Sequence, residues 1–215
     1  MRERYMRQLE QLNREMTEMG DLCEEAIRGA AKCLTGGDES GIQEAIAAEV
    51  QIDHKERDIE SLCMKMMLLQ QPVASDLRTI SSALKMISDM ERIGDQAADI
   101  AELVKYVRGQ KDAPCVPHIA DMVNAACRMV DASVDSFVER DLKAAQEVIS
   151  YDDVVDELFL MVKRELTGMI CRNPTRAELC MDFLMIAKYL ERIGDHATNI
   201  AEWVEYSITG VHREE

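Results

Sequence analysis

Apolar side chains recur at steps of three and four residues along most of this chain, as they do in helices that bury one face. In the first stretch the recurring residues are Leu9, Leu12, Met16, Met19, Cys23, Ile27 and Ala30. Helix-breaking residues interrupt the periodicity at Thr35-Gly36-Gly37, at Pro72, between Gly109 and Pro117, and at Asn173-Pro174. The sequence therefore predicts six helices, at about residues 2–34, 38–70, 75–108, 118–139, 141–170 and 175–208.

One helical segment occurs twice, one hundred positions apart. The residues from Glu91 to Glu102 read ERIGDQAADIAE, and those from Glu191 to Glu202 read ERIGDHATNIAE. A repeat of this kind marks two copies of one structural unit, and six long helices with short connections favour bundles. We predict an all-α fold of two tandem antiparallel three-helix bundles. The first repeat covers residues 1–110, a linker 111–117, the second repeat 118–210 and a tail 211–215.

Acidic residues of the repeated segment lie in line with an apolar stripe. On a helical projection at about 100° per residue, Glu91 and Asp95 continue the stripe formed by Leu77, Ile80, Leu84 and Ile87. Glu191 and Asp195 follow a similar stripe in the last helix. Two carboxylates four residues apart on a helix repel by roughly 0.2–0.5 kcal/mol, so we expect a positive group nearby.

The helix that precedes each repeated segment carries acidic residues on the shoulder of its own apolar stripe. In the first repeat these are Glu49, Asp53, Glu56 and Glu60, and in the second they are Asp152 and Asp156. Such rows have two interpretations. One is a solvated face with Arg92 and Arg192 as local partners, and the other is a site for Mg²⁺, Mn²⁺, Fe or Zn²⁺. The residue pattern alone leaves both open.

The third and sixth helices are apolar on a second flank as well. The second stripe consists of Ile93, Ala97, Ile100 and Val104, repeated as Ile193, Ala197, Ile200 and Val204. An apolar flank on both sides suggests self-association, and we expect a homodimer.

Gly94 and Gly194 stand in mid-helix, where glycine costs about 1 kcal/mol relative to alanine. They indicate either close approach of a metal or partner, or plain helix packing.

Composition limits the function further. The chain has 215 residues, 47% of them hydrophobic and only 4% aromatic, which is typical of helices packed on helices. A net charge of -16 without a basic stripe argues against nucleic-acid binding. Seven cysteines without a C-x-x-C pair indicate buried thiols in a reducing cytoplasm. No apolar run approaches the roughly 20 residues of a membrane span, so we expect a cytoplasmic protein.

Catalytic signatures are absent from the sequence. There is no Glu-x-x-His motif, no glycine-rich phosphate loop and no G-x-S-x-G or H-E-x-x-H motif. The projection turns His196 about 100° away from Asp195, which indicates a surface residue or one behind the site. Cys63 and Cys127 have apolar helical neighbours, so we interpret them as structural thiols. The sequence predicts that this protein is not an enzyme.

Several segments together resemble the PhoU family of phosphate-transport accessory proteins. They are Gln70-Gln71-Pro72-Val73-Ala74-Ser75-Asp76-Leu77-Arg78, then Leu84-Lys85, then Glu91-Arg92-Ile93-Gly94-Asp95 and its copy from Glu191 to Asp195. The resemblance covers nearly the whole chain. It implies two three-helix bundles whose E/D-x-x-x-D motifs hold metal clusters. It also implies a cytoplasmic regulator that links a phosphate importer to a sensor histidine kinase.

The resemblance assigns metal ligands by position: Glu49, Asp53, Glu91, Asp95, Asp152, Asp156, Glu191 and Asp195. The repeats differ, because Asp99, Glu56 and Glu60 correspond to Asn199, Phe159 and Lys163. We therefore expect a stronger site in the first repeat. The Gln-Gln-Pro segment has no counterpart near Asn173-Pro174, which confines any partner-binding role of that turn to the first repeat.

Three functions remain after this comparison. The leading one is a metal-binding regulator of phosphate uptake and signalling, which forms a homodimer and reaches the membrane through importer subunits and the kinase. The alternative is a metal-dependent hydrolase with carboxylate-bound ions. The third is a helical packing module with solvated acidic faces.

Overall fold

Six long helices form the fold, in agreement with the predicted all-α architecture. The computed structural model describes residues 2–36, 40–70, 73–108 and 116–212. The helices are α1 (Arg2–Gly36), α2 (Ser40–Gln70), α3 (Ala74–Arg108), α4 (Pro117–Glu139), α5 (Leu142–Arg172) and α6 (Ala177–Thr209), with a 3₁₀ turn at Pro174–Arg176 before α6.

Helix ends differ from the predicted ends by a few residues, for local reasons. Pro117, which we placed in the linker, is the first residue of α4, a position where proline loses no hydrogen bond. Asp141 precedes α5 as its N-cap and accepts hydrogen bonds from the backbone N–H groups of Lys143 and Ala144. The predicted start at Asp38, most of the linker and residues 213–215 lie outside the described residues.

The two repeats share one apolar core. Within each repeat the three helices pack together, and α3 also contacts α6 while α1 contacts α4. Helices α1, α3, α6 and α4 therefore form a central layer, with α2 and α5 on its flanks. The buried residues of both repeats belong to a single continuous cluster.

The second apolar stripe of α3 is used inside the chain. Its residues Ile93, Ala97, Ile100 and Val104 are at most 2% exposed, and the matching stripe of α6 is fully buried. The feature that suggested self-association is thus buried inside the chain, where α3 and α6 pack against each other and against the other helices of their own repeats. A homodimer stays a prediction that requires a different surface.

Cysteine placement agrees with the structural interpretation for most thiols. Cys23, Cys63, Cys127 and Cys180 are free and buried, and Cys171 is exposed. Burial raises the pKa of Cys63 and of Cys127 to about 12, so these thiols stay protonated at neutral pH. They lack the thiolate form that a nucleophile needs.

Glycine residues set the distance between α2 and α3 and between α5 and α6. A Cβ atom at Gly94 would lie 2.9 Å from Cδ1 of Ile52, and one at Gly194 would lie 3.3 Å from Cγ1 of Val155. Larger side chains would push the paired helices apart. The structure therefore favours helix packing as the reason for both glycines, and this packing brings the acidic rows of the paired helices together.

We expect the substitution Gly94→Val to lower the free energy of unfolding by about 1–3 kcal/mol, because it overpacks the contact with Ile52. Gly168→Val is the matched control, since a Cβ at Gly168 in α5 meets nothing within 4 Å. Urea unfolding of both variants measures the effect. Equal stability of the two variants would show that the α2–α3 approach does not depend on glycine.

Candidate functional site

The predicted ligands of the first repeat come together between α2 and α3. The carboxyl group of Glu49 lies close enough to Asp53 and Asp95 for their charges to act on it. Partial burial, followed by the repulsion of these neighbours, raises the pKa of Glu49. The pKa of Glu91 is also raised, by partial burial and then by Asp95. This cluster is a set of carboxylates that disfavour one another's charge.

The predicted ligands of the second repeat form an equivalent cluster between α5 and α6. Desolvation, followed by the charges of Asp195 and Asp156, raises the pKa of Asp152 to about 6. Desolvation and then Glu191 raise the pKa of Asp195. A Cβ at Gly194 would lie 3.4 Å from Oδ1 of Asp152, at van der Waals distance, so this carboxylate lies close to the backbone of α6. All eight predicted ligands thus fall into two clusters, four in each repeat.

Basic side chains neutralise part of each cluster. Arg92 lies 3.5 Å from a carboxylate oxygen of Glu91 and 3.6 Å from one of Asp95. Arg57 pairs with Asp53 at 3.3 Å, and Lys188 pairs with Glu191. These exposed pairs are worth at most about 1 kcal/mol each. Arg92 is therefore a local partner of the acidic residues, as the solvated-face interpretation predicts.

The carboxylate oxygens of the clusters are suitable ligands for hard metal ions, although these side chains do not point toward one common position. Within the four described ranges, no group of three or more His, Cys, Asp or Glu side chains is arranged so that it could hold a metal ion. The helices nevertheless place four carboxylates in each cluster, and desolvation, followed by the charges of neighbouring carboxylates, raises the pKa values of Glu49 and Asp152. A divalent or trivalent cation would relieve this repulsion once side-chain rotation brought the oxygens together.

The clusters differ in their surroundings. In the first repeat the Ser88 hydroxyl lies 3.5 Å from a carboxylate oxygen of Glu56. The corresponding residues of the second repeat are Lys188 and Phe159, and the Lys188 ammonium lies 5.7 Å from the centre of the Phe159 ring. The second cluster thus lacks the additional carboxylate that Glu56 supplies next to the first. Cations lie near both clusters, Arg57 and Arg92 at the first and Lys188 at the second. A stronger first site stays a prediction that depends on the additional carboxylate.

A polar contact between the repeats was missed by the sequence analysis. Asp89 of α3 lies 2.9 Å from Nδ1 of His196, and the Asn199 amide donates to the same carboxylate oxygen at 3.2 Å. We expected His196 on the surface or behind the site, but it is half-buried in the contact between α3 and α6. Its signal in the sequence was the divergence of the repeats, because His196 and Asn199 replace Gln96 and Asp99.

The pseudo-equivalent contact lies further along the same two helices. Asp99 of α3 faces Tyr189 and Arg192 of α6, and Asp99 has a pKa raised by partial burial. Arg192 therefore belongs to the contact between repeats, although we had considered it a local partner for its own cluster. Both contacts lie within two turns of a carboxylate cluster. Movement of α3 against α6 would therefore change the positions of carboxylates in both clusters.

Comparison with known proteins agrees with this architecture. A family profile described as PhoU domain matches the chain twice, at residues 16–104 and 119–204. The chain belongs to the PhoU family. The PhoU homologue of Clostridium acetobutylicum, named a phosphate-specific transport system accessory protein, is 37% identical over 203 residues, covering 94% of this chain and 93% of that protein. A homologue of the same name from Pseudomonas aeruginosa is 32% identical over 97% of this chain and 86% of its own length.

Solved structures show that the PhoU fold extends over the whole described chain. The crystal structure of PhoU from Pseudomonas aeruginosa superposes with a TM-score of 0.90 at 31% identity, covering 96% of this chain and all of that one. A PhoU structure from Streptococcus pneumoniae, described as a phosphate transport system regulatory protein, has a TM-score of 0.88 at 24% identity, covers 98% of this chain and supports the fold.

The contact between Asp89 and His196 predicts non-additive stability changes. We expect Asp89→Ala and His196→Ala each to lower the free energy of unfolding by about 1 kcal/mol or more, because Asp89→Ala removes the hydrogen bonds with His196 and Asn199 and His196→Ala removes the first of these. The loss of unfolding free energy in the double variant should be smaller than the sum of the two single losses, by at least about 0.5 kcal/mol. Urea unfolding of the four proteins measures this coupling. His54→Ala, on an exposed position of α2, is the control, and additive losses would contradict the contact.

Proposed function

We propose that this chain regulates phosphate uptake and phosphate-responsive signalling, as a metal-binding helical adaptor between a phosphate ABC importer and a sensor histidine kinase. The observation that carries the proposal is the match to accessory proteins of the phosphate-specific transport system over nearly the full length of both chains. The proposed site of action is the cytoplasmic face of the membrane. No helix in the described ranges contains an apolar stretch long enough to cross a bilayer, and membrane association would come through the partners.

An adaptor without catalysis is consistent with the chemistry of the described side chains. The buried thiols of Cys63 and Cys127 are held in their protonated form. The carboxylate clusters lie on helix surfaces, where ligand or partner atoms can reach them. An accessory protein of this kind acts by changing which helices and charges it presents to a partner.

Metal ions are part of the proposal, with Fe, Zn, Mn or Mg as the candidate elements. The proposed ligands are the eight carboxylates of the two clusters. A bound ion would neutralise each cluster and tie α2 to α3, or α5 to α6. It would thereby alter the charge and the stiffness of the surface offered to partners.

A metal-dependent hydrolase is the second candidate function. It is favoured by Asp152, because a carboxyl group with a pKa of about 6 can exchange protons near neutral pH. Phosphatase assays on the metal-loaded protein distinguish the two functions. Turnover that is lost in the variant Asp152→Asn would support the hydrolase.

The adaptor proposal predicts specific partners in cells. Affinity purification of the tagged chain from phosphate-replete cells should recover importer subunits and a histidine kinase, and recovery should change in cells grown at low phosphate. Quantitative mass spectrometry against cells with the untagged chain measures the enrichment. Failure to enrich either partner at both phosphate levels would contradict the adaptor function.

The metal proposal predicts a stability gain. Manganese or zinc in about hundredfold excess over its Kd should stabilise the protein by about 2.7 kcal/mol, seen as a higher Tm. The double variant Glu91→Gln, Asp95→Asn should lose most of the gain, and Glu191→Gln, Asp195→Asn a smaller part. Without metal neither variant should be destabilised, because each loses a repulsion.

Glu102→Gln provides the control for this measurement, since Glu102 is an exposed acid on the same helix as Glu91. It should keep the full metal response. Elemental analysis after purification without chelator identifies the ion. An unchanged Tm with every ion tested would contradict metal binding and support the packing-module function.

A further inference from the structure

One end of the molecule collects hydrogen-bond donors that have no acceptor. Among the described residues, Arg78 Nε is the one buried side-chain nitrogen without a hydrogen-bond partner. The hydroxyl group of Ser82, one turn further along α3, is also buried without a partner, and Ser82 is 0% exposed. Residues four apart share a helix face, so both donors point to the same side of α3. Leaving a buried charged donor unpaired costs about 1–3 kcal/mol or more.

The Arg78 side chain is positioned by the end of α6. Its Cζ and Nε atoms lie 3.4 Å from the point where a Cβ of Gly210 would stand. Gly210 is in the left-handed conformation with φ of 75°, and its N–H bonds to the Tyr206 carbonyl oxygen. A Cβ at position 210 would be in van der Waals contact with the guanidinium group, so the Arg78 side chain packs against the turn after α6.

A second arginine approaches the same turn of α3 from α4. Arg140 terminates α4 in the left-handed conformation, with φ of 56°, which is unusual for a residue other than glycine. Its Nη1 donates to the hydroxyl oxygen of Thr79 at 3.3 Å. Thr79 follows Arg78 directly, so Arg140 contacts the residue next to Arg78 along α3. Arg140 is exposed, which opens this place to solvent.

Neither arginine has an ion-pair partner among the described residues. Other arginines of the chain do, such as Arg28 with Glu24 and Arg57 with Asp53. Among the described arginines, ion pairs involve only Arg28, Arg57 and Arg92, so what distinguishes Arg78 is its buried Nε without a hydrogen-bond partner. Arg78 also follows the Gln-Gln-Pro segment, which has no counterpart near Asn173-Pro174 in the second repeat.

We propose that Arg78, Ser82 and Arg140 form a binding site for a phosphate group. The site offers donors from two helices, and a tetrahedral dianion presents acceptors in several directions. Guanidinium groups match phosphate oxygens in charge and in geometry. A water molecule in this place would satisfy fewer donors and would leave both charges uncompensated. This inference depends on the geometry of these residues and not on the proposed regulatory function.

The phosphate group has two possible sources with the same chemistry, inorganic phosphate and the headgroup of phosphatidic acid. Isothermal titration of the full chain with sodium phosphate at constant ionic strength tests the first source. Flotation with vesicles of phosphatidylcholine containing phosphatidic acid, against vesicles containing phosphatidylglycerol, tests the second. Saturable binding in either arm, with preference over sulfate or phosphatidylglycerol, is the expected result.

Variants locate the binding. Arg78→Gln and Arg140→Gln should each weaken it about tenfold or more, because each removes a charged hydrogen bond. Arg164→Gln, at an exposed position of α5, is the matched control and should bind as the unchanged chain does. Arg140→Lys should restore part of the affinity, since it keeps the charge. Circular dichroism confirms that the variants fold.

Three outcomes would overturn the site. They are the absence of saturable binding in both arms, an equal response to phosphate and sulfate, and a loss in Arg164→Gln as large as in Arg78→Gln. These results concern binding in solution. They would leave recovery of the importer and the kinase from cells untouched, so the failure of one proposal is distinguishable from the failure of the other.

Discussion

Close approach of paired helices at Gly94 and Gly194 is the constraint on which the rest of the structure depends. The missing side chains let Ile52 and Val155 reach the backbone of α3 and α6, so α2 and α5 settle close to their partners. The same approach forces acidic rows from two helices against one another. Desolvation in the packed helices, followed by the charges of neighbouring carboxylates, raises the pKa values of Glu49, Glu91 and Asp152. The two carboxylate clusters are therefore a product of packing. They keep an excess of negative charge that a bound cation or a basic partner can neutralise.

A second consequence concerns the relation between repeats. Because α3 and α6 carry apolar residues on two sides, each helix can pack within its own bundle and against the other bundle. The chain thereby buries internally what a single repeat would have to bury against a second molecule. The polar contacts of Asp89 with His196 and of Asp99 with Tyr189 select one alignment of the two helices, since buried polar groups require partners. These contacts connect the clusters through two shared helices.

Divergence of the repeats gives the two halves different chemistry. Lys188 and Phe159 reduce the negative charge of the second cluster, where the first has Ser88 and Glu56. Arg78 packs beside Gly210 and Arg140 contacts Thr79, the next residue of α3, although the fold is built from two similar units. A duplicated scaffold thus offers distinct surfaces, which suits a protein proposed to contact more than one partner.

The sequence by itself determined the six helices, the repeat and the carboxylates of both clusters. These follow from the three- and four-residue periodicity and from residue spacing, which depend on local geometry alone. Tertiary structure decided which helix faces meet. It brought Asp89 to His196, turned the second apolar stripe into an internal contact, and placed Arg78 beside Gly210 and Arg140 beside Thr79. These pairs are separated by about 60 or more residues, and no local period specifies the partner of a helix face, since that choice depends on how all six helices share one core.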